Sequence, residues 1–313
     1  MIETAAESRL PASDAWPSLP LDAWEDTCKT LQLWTQIVGK IRLRQCAPLN
    51  HWWHVTLYVT SRGLTTQPMP YGTQTFQIDF DFVAHELILS TSKGERHMMP
   101  LAPRSVAVFY QEVMAALHSL GIPVDISTMP QEVPDPIPFD RDDQHAAYDP
   151  EYAQRCWRIL VQVDRVFQQF RSGFVGKASP VHFFWGSFDL AVTRFSGRRA
   201  PLHPGGGPLP AWITQEAYSH EETSCGWWPG SGNVRYPAFY SYAYPEPGGF
   251  KDAKIRPAGA FYAAELGEFI LPYEDVRLAA NPDAMLLDFL RTTYEAAANL
   301  GHWDRAALER NPP

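Results

Sequence analysis

His182, Asp189 and Arg194 sit close together in the chain, and His220, Glu221 and Glu222 form a second polar run further on. Imidazoles and carboxylates can take up and release protons near neutral pH, so His182, Asp189, His220 and Glu221 are the candidate catalytic residues. The same groups are the ligand set of zinc, iron or manganese. If a metal is bound, its ligands are drawn from His182, His220 and Glu221. The spacing matches no standard metal-binding helix, and no metal or other cofactor is named by the residues. Structural readings compete. His182 fits a hydrogen-bonded core histidine, Asp189 fits a partner for Arg194 or Arg198, and residues 219–222 fit a solvated turn.

Arg194 and Arg198 form a cationic group with Arg199, Lys177 and His203 close by. A guanidinium fork suits a carboxylate or phosphate, which makes Arg194 and Arg198 candidate ligand-binding residues. Pairing with Glu216, Glu221 or Glu222 is the alternative. Tyr240, Tyr242 and Tyr244 alternate, so an extended strand puts three phenols on one face. With Trp227 and Trp228 they form a candidate wall for a small ligand; cross-strand packing is the competing role. Asp79 and Asp81 share a strand face, close enough to raise one carboxyl if buried, and Asp140, Asp142, Asp143 and His145 precede a helix and could catch a cation; the simpler reading of both groups is a solvated surface.

Several chemistries lack their motif. Ser187 is not a nucleophile elbow, because the flanking glycine pattern is absent. Gly205, Gly206 and Gly207 lie among prolines and open no helix, which argues against phosphate cradling. Cys28, Cys46, Cys156 and Cys225 make neither a CxxC pair nor a disulfide framework. Cys225 and His220 are five residues apart, and a packed neutral thiol is the simpler reading of that cysteine.

The elements that must position these groups alternate between two periods. Trp24, Cys28, Leu31, Trp34 and Val38 predict a helix over about 21–40. Val55, Leu57 and Val59 predict a first strand in His54–Thr60, Phe76, Ile78, Phe80 and Phe82 predict a second, and a third at about 84–91 completes a hairpin with the second. Helices are expected at about 103–120, at about 150–171 behind Asp149-Pro150, and at about 282–300 behind Asn281-Pro282. Strands are expected at about 181–185 and 188–195. LYVTSRG (57–63), HELIL (85–89) and AALHSLG (115–121) find counterparts in LAVTRFSG (190–197), GEFIL (267–271) and EAAANLG (295–301). The expected fold is therefore α+β: two related β-sheet-plus-helix halves, a degenerate internal repeat, packed as one compact unit. The divisions are an N-terminal arm at 1–20, loosely docked; a first half at 21–145; a bridging helix at 146–175; and a second half at 176–313. The second half carries a long loop, 198–238, whose aromatics predict order and a cap over a cleft.

Composition narrows the function classes. The 313 residues are 45% hydrophobic and 19% charged, which is globular and not disordered. A net charge of −9 argues against nucleic acid as partner, and no apolar run is long enough for a membrane span. The N-terminus lacks the basic start and apolar stretch of a signal peptide, so a cytoplasmic location is expected. Oligomeric state is left open.

The stretches GKASPVHFFWGSFDLAVTRFSGRRAP (176–201), EAYSHEETSCGWWPG (216–230), FYSYAYPEP (239–247) and GEFILPYEDVR (267–277) resemble a family of bacterial proteins catalogued as a domain of unknown function, DUF5996. NHWWHVTLYVTSRGLTT (50–66) and the FDF-x-x-H stretch at 80–85 are similar to it as well. The resemblance covers almost the whole chain and implies no activity, substrate or cofactor. The functional expectation therefore rests on the residues: an enzyme acting on a small anionic or aromatic molecule in a loop-capped cleft. The alternatives are a non-catalytic small-ligand binder or sensor with an aromatic-lined pocket, or a partner protein whose aromatics fill an interface between copies.

Overall fold

Alternation in Phe76–Phe82 builds the first sheet: Phe76, Ile78, Phe80 and Phe82 are all buried, and the polar residues between them face the other way. In the computed structural model, which describes residues 15–310, this segment is the centre of a six-stranded antiparallel sheet. Its strands are β1 (Tyr58–Val59), β2 (Gly63–Thr65), β3 (Met69–Tyr71), β4 (Gln74–Asp81), β5 (Glu86–Thr91) and β6 (Arg96–Pro100), in the order β1-β2-β4-β5-β6 with β3 also on β4. A second six-stranded sheet holds β7 (His182–Phe184), β8 (Asp189–Arg199), β9 (His220–Trp228), β10 (Ala238–Tyr244), β11 (Phe261–Ala263) and β12 (Glu268–Pro272), ordered β11-β12-β10-β9-β8-β7. Leu57 and Phe183 exchange both backbone hydrogen bonds at 2.9 Å, which sews the edges of the two sheets together.

The helices are α1 (Glu25–Gln45), α2 (Val106–Ser119), α3 (Pro150–Ser172), α4 (Ala211–Ala217), α5 (Tyr273–Arg277), α6 (Pro282–Leu300) and α7 (Arg305–Leu308). Asp149 caps α3 by accepting from the amides of Glu151 and Tyr152, and Asn281 caps α6 through Ala284. The long helices lie on one face of the joined sheets. Trp34 of α1 stacks on Phe109 of α2 at 4.4 Å, and Phe167 of α3 and Phe289 of α6 are fully buried in the same core. Leu190, Val192, Trp227, Phe239 and Leu271 supply the second sheet's share of that core. The α+β class follows. The two sheets do not share one strand order, because β11 precedes β12 in sequence yet lies outside it; the internal repeat is not shown by this arrangement.

Two segments differ from their expected character. Residues 198–238 are not an irregular loop: they contain α4 and the whole of β9, a central strand. Its Glu-, Thr- and Gly-containing sequence hides a period-two pattern, because one side of the strand meets the helix core and the other is polar. Of the expected arm, residues 1–14 lie outside the described residues. Trp16 and Leu19 are buried, and the Tyr273 hydroxyl donates to the Pro17 carbonyl at 2.8 Å, so this part is docked and not loose.

Candidate functional site

Side chains on paired strands fall on a common face when their residues are opposite one another. The register therefore sorts the second sheet. Asp189, Phe195, Glu222, Gly226, Trp228, Tyr240, Tyr242, Tyr244 and Glu268 share the face turned away from the long helices, with His182 one strand over. This open face is partly roofed by α4 and by the turn at 50–55, which pack on each other through Trp212 and Trp52.

At one end of the face Asp189 begins β8 behind a tight turn in which Phe188 is forced to φ 59°. The Asp189 carboxylate accepts from the hydroxyls of Ser187 and Tyr240. Tyr240 reaches it across the intervening strand because Gly226 leaves room: a β-carbon there would lie 2.3 Å from the phenol oxygen. Burial pushes the Asp189 carboxyl up, and its hydrogen bonds pull the other way. Glu268 and Glu132 lie within electrostatic reach. Both are raised to about 7, first by burial and then by the charge of Asp189. Glu132 is exposed and Glu268 half-buried, so these carboxyls are hemmed in by protein yet open to water, as on a concave surface. Among the described residues no Lys or Arg forms an ion pair with any of the three. Tyr240 and Tyr242 stack in parallel, Trp228 stands edge-on to Tyr240, and the Tyr242 hydroxyl meets that of Tyr218 at 3.0 Å.

At the other end the basic groups gather. His51 and Trp52 both occupy the left-handed region, at φ 58° and 61°, a costly conformation for non-glycine residues. The turn they make aims the His51 ring inward. Its Nδ1 lies 2.7 Å from the Ala217 carbonyl and its Nε2 lies 2.8 Å from Lys177 Nζ. Only one tautomer serves both contacts: Nδ1–H donates to the carbonyl, and bare Nε2 accepts from the ammonium. Burial, and then Lys177, hold His51 below the ordinary histidine range. Lys177 itself lies over the rings of Phe195 at 4.7 Å and Trp53 at 5.4 Å, and burial lowers it. His220 stands edge-on to His51 at 5.6 Å. Glu222 is buried at 6% exposure; burial raises its carboxyl to about 8 against the pull of Lys177.

His182 lies between the rings of Trp53, Tyr58 and Phe184 at 1% exposure, and neither ring nitrogen has a partner. Burial, with Arg42 and Arg171, drives it down to about 3, so it is a neutral imidazole.

The expected residues thus separate. Asp189, His182, His220, Trp228, Tyr240, Tyr242 and Tyr244 occupy the open face, with the Tyr244 hydroxyl donating to the Pro201 carbonyl at 3.0 Å. Arg194, Arg198, Glu221 and Trp227 do not. Arg194 points to the helix side, stacked on Phe170 at 3.5 Å. Arg198 pairs with Glu221 at 2.6 Å and donates to the carbonyls of Gly301 and His302, tying the sheet to the end of α6. Trp227 is fully buried in the core. The one-residue step of a strand explains this: Glu221 and Trp227 neighbour open-face residues in sequence and therefore face the other way. That geometry also breaks up the metal set of His182, His220 and Glu221. Among the described residues no three His, Cys, Asp or Glu side chains are grouped to hold a metal ion. His51 and Glu132 were not expected at all; the adjacent Trp52-Trp53 pair was the nearest signal. By sequence Lys177 and Glu222 belong only to the basic group and the polar run, and Glu268, Trp53 and Tyr218 carry no signal of their own; only the fold brings them to this face.

The fold and this face define an α+β protein with two edge-joined antiparallel sheets, helices on one side and an acid- and base-lined aromatic surface on the other. The chain matches, over residues 16–310, the model of a family of unknown function, DUF5996, and belongs to that family. No curated protein and no solved structure matches it. No helix among the described residues is long and apolar enough to cross a membrane.

Proposed function

We propose that the chain is an enzyme performing proton transfer on a small polar molecule held across the open face. The observation that carries this reading is the Lys177–His51 contact, with His51 oriented in turn by Ala217. A base fixed by a third group beside a charged donor is the arrangement acid–base and nucleophilic catalysis require. Glu222, protonated at neutral pH, supplies a general acid next to it. The Nε2 lone pair of His51 already accepts from Lys177, so the base works through that contact: Lys177 passes the bridging proton to Nε2, takes the ligand's proton in its place, and its remaining N–H groups stabilise the negative charge left on a ligand oxygen. Trp53 and Phe195 wall this end; Trp228, Tyr240 and Tyr242 wall the other. The cation-free carboxyls of Asp189, Glu132 and Glu268 favour a ligand whose far end is an amine or other hydrogen-bond donor. This replaces the expectation of an anionic ligand on this face, because Arg194 and Arg198 are turned elsewhere.

The test is a panel of small amines, amino acids and amino sugars screened by thermal shift, with stabilising compounds followed by NMR for conversion. A compound that is converted by the native chain, and not by His51→Gln or Glu222→Gln, supports the reading. A compound held equally by native chain and variants and never converted assigns the face to ligand binding alone and rejects the enzymatic reading.

A further inference from the structure

We infer that a second site, on the helix-covered side of the second sheet, binds a phosphate-type anion between Arg194, Arg291 and Arg310. It is independent of the open-face reading. Arg194 is 5% exposed, and its guanidinium lies against Phe170 at 3.5 Å, Tyr294 at 4.4 Å and Phe174 at 5.0 Å. Nη2 donates to the Phe170 carbonyl. Nε is buried with no partner, and no carboxylate among the described residues forms an ion pair with this side chain. Burial lowers the group to about 10, so it is still charged at neutral pH. Stacking on rings offsets part of the cost of burying a charge, and Glu309 attracts the guanidinium from beyond ion-pair distance, yet no anion among the described residues is in contact with it.

A cleft of about 180 Å³ opens beside it, lined by Arg194, Arg291, Arg305, Arg310, Glu295 and Glu309 among others. The carboxylates there are already engaged. Glu309 takes Arg305 and accepts from the Tyr294 hydroxyl at 2.9 Å, and Glu295 lies 3.4 Å from Arg305. Arg291 forms no ion pair among the described residues, and Arg310 uses only Nε, on the Ser172 carbonyl at 3.0 Å. Three guanidiniums that form no ion pair among the described residues therefore border one small cleft, beside two carboxylates already held by Arg305, in a chain of net charge −9. The cleft's size suits a single tetrahedral anion, and guanidinium forks match its oxygens. Free phosphate and the terminal group of a phosphomonoester share this chemistry.

The experiment is calorimetric titration of the full chain with inorganic phosphate and with glycerol phosphate, at constant ionic strength set with sodium chloride. The expected result is saturable binding of one anion per chain, weakened at least tenfold in Arg291→Ser/Arg310→Ser, whose changed side chains are exposed and do not threaten folding. Arg194→Met, which keeps an apolar stem on Phe170, should abolish binding. Tighter binding of inorganic phosphate assigns the site to the free anion; tighter binding of glycerol phosphate assigns it to a phosphomonoester. Absence of saturable heat with either probe, or equal affinity in the double variant, overturns the inference.

Discussion

Lys177 Nζ lies 2.8 Å from Nε2 of His51, although the two residues are 126 positions apart in the chain. The contact exists because Lys177, ahead of β7, lies alongside β8, its carbonyl accepting from the Phe195 amide, while His51 sits on the strained turn entering the first sheet. The Leu57–Phe183 pairing that joins the sheets brings these two segments side by side.

Lys177→Met removes a cation that holds His51 down, so the His51 ring should titrate closer to the ordinary histidine value. Ring-proton NMR across pH 4–9, the range set by ordinary histidine behaviour, checks this. An unchanged midpoint would mean the two side chains do not interact in solution.

Gly226→Ala should destabilise the chain by about 1–3 kcal/mol through overpacking, because the added methyl collides with the Tyr240 ring. The collision also moves the phenol off Asp189. Urea unfolding measures the loss, and a second variant, Tyr240→Phe, isolates the hydrogen bond, whose removal should cost about 1–3 kcal/mol if the carboxylate is left under-satisfied.

Glu222 makes stability depend on pH with a definite sign. Its folded-state carboxyl is raised to about 8, above the ordinary glutamate value of 4.5, so the folded chain binds the proton more tightly. Stability from this group is full below pH 4.5, falls as pH rises towards 8, and is flat beyond. Glu222→Gln should flatten that part of the curve of urea midpoint against pH; a native curve that rises through this window, with the variant parallel to it, would exclude the raised carboxyl.

Trp16→Ala should cost about 3–5 kcal/mol, since the ring is buried against Tyr273 at a centroid distance of 6.1 Å. Arg198→Ala should cost less than about 1 kcal/mol, because its pair with Glu221 is half open to solvent. Thermal or urea unfolding of both variants separates a docked segment from a surface tie.

Local periodicity made much of the fold readable. Phe76 to Phe82, the cap at Asp149-Pro150 and the stop after Leu300 each announce their element with no help from distant residues. β9 was not readable, because Glu222, Thr223, Ser224 and Gly226 look like a loop until the neighbouring strands fix which side each faces. The site was half legible for the same reason. Asp189 and the alternating tyrosines declare a shared face by spacing alone. Glu221, His220 and Glu222 are consecutive, and only pairing decides that Glu221 leaves the face while its neighbours stay. His51, Lys177 and Glu132 belong to three separate segments, and no local pattern joins them.

On the proposed reading an acid, Glu222, and a base, His51, coexist on the open face at neutral pH. Carboxyl carbon-13 and imidazole nitrogen-15 NMR of the native chain, titrated together, addresses it directly. Glu222 should stay protonated at pH 7 and titrate near 8, while His51 is neutral there with its proton on Nδ1. A Glu222 midpoint near 4.5, together with a His51 midpoint at or above 6.5, would contradict it.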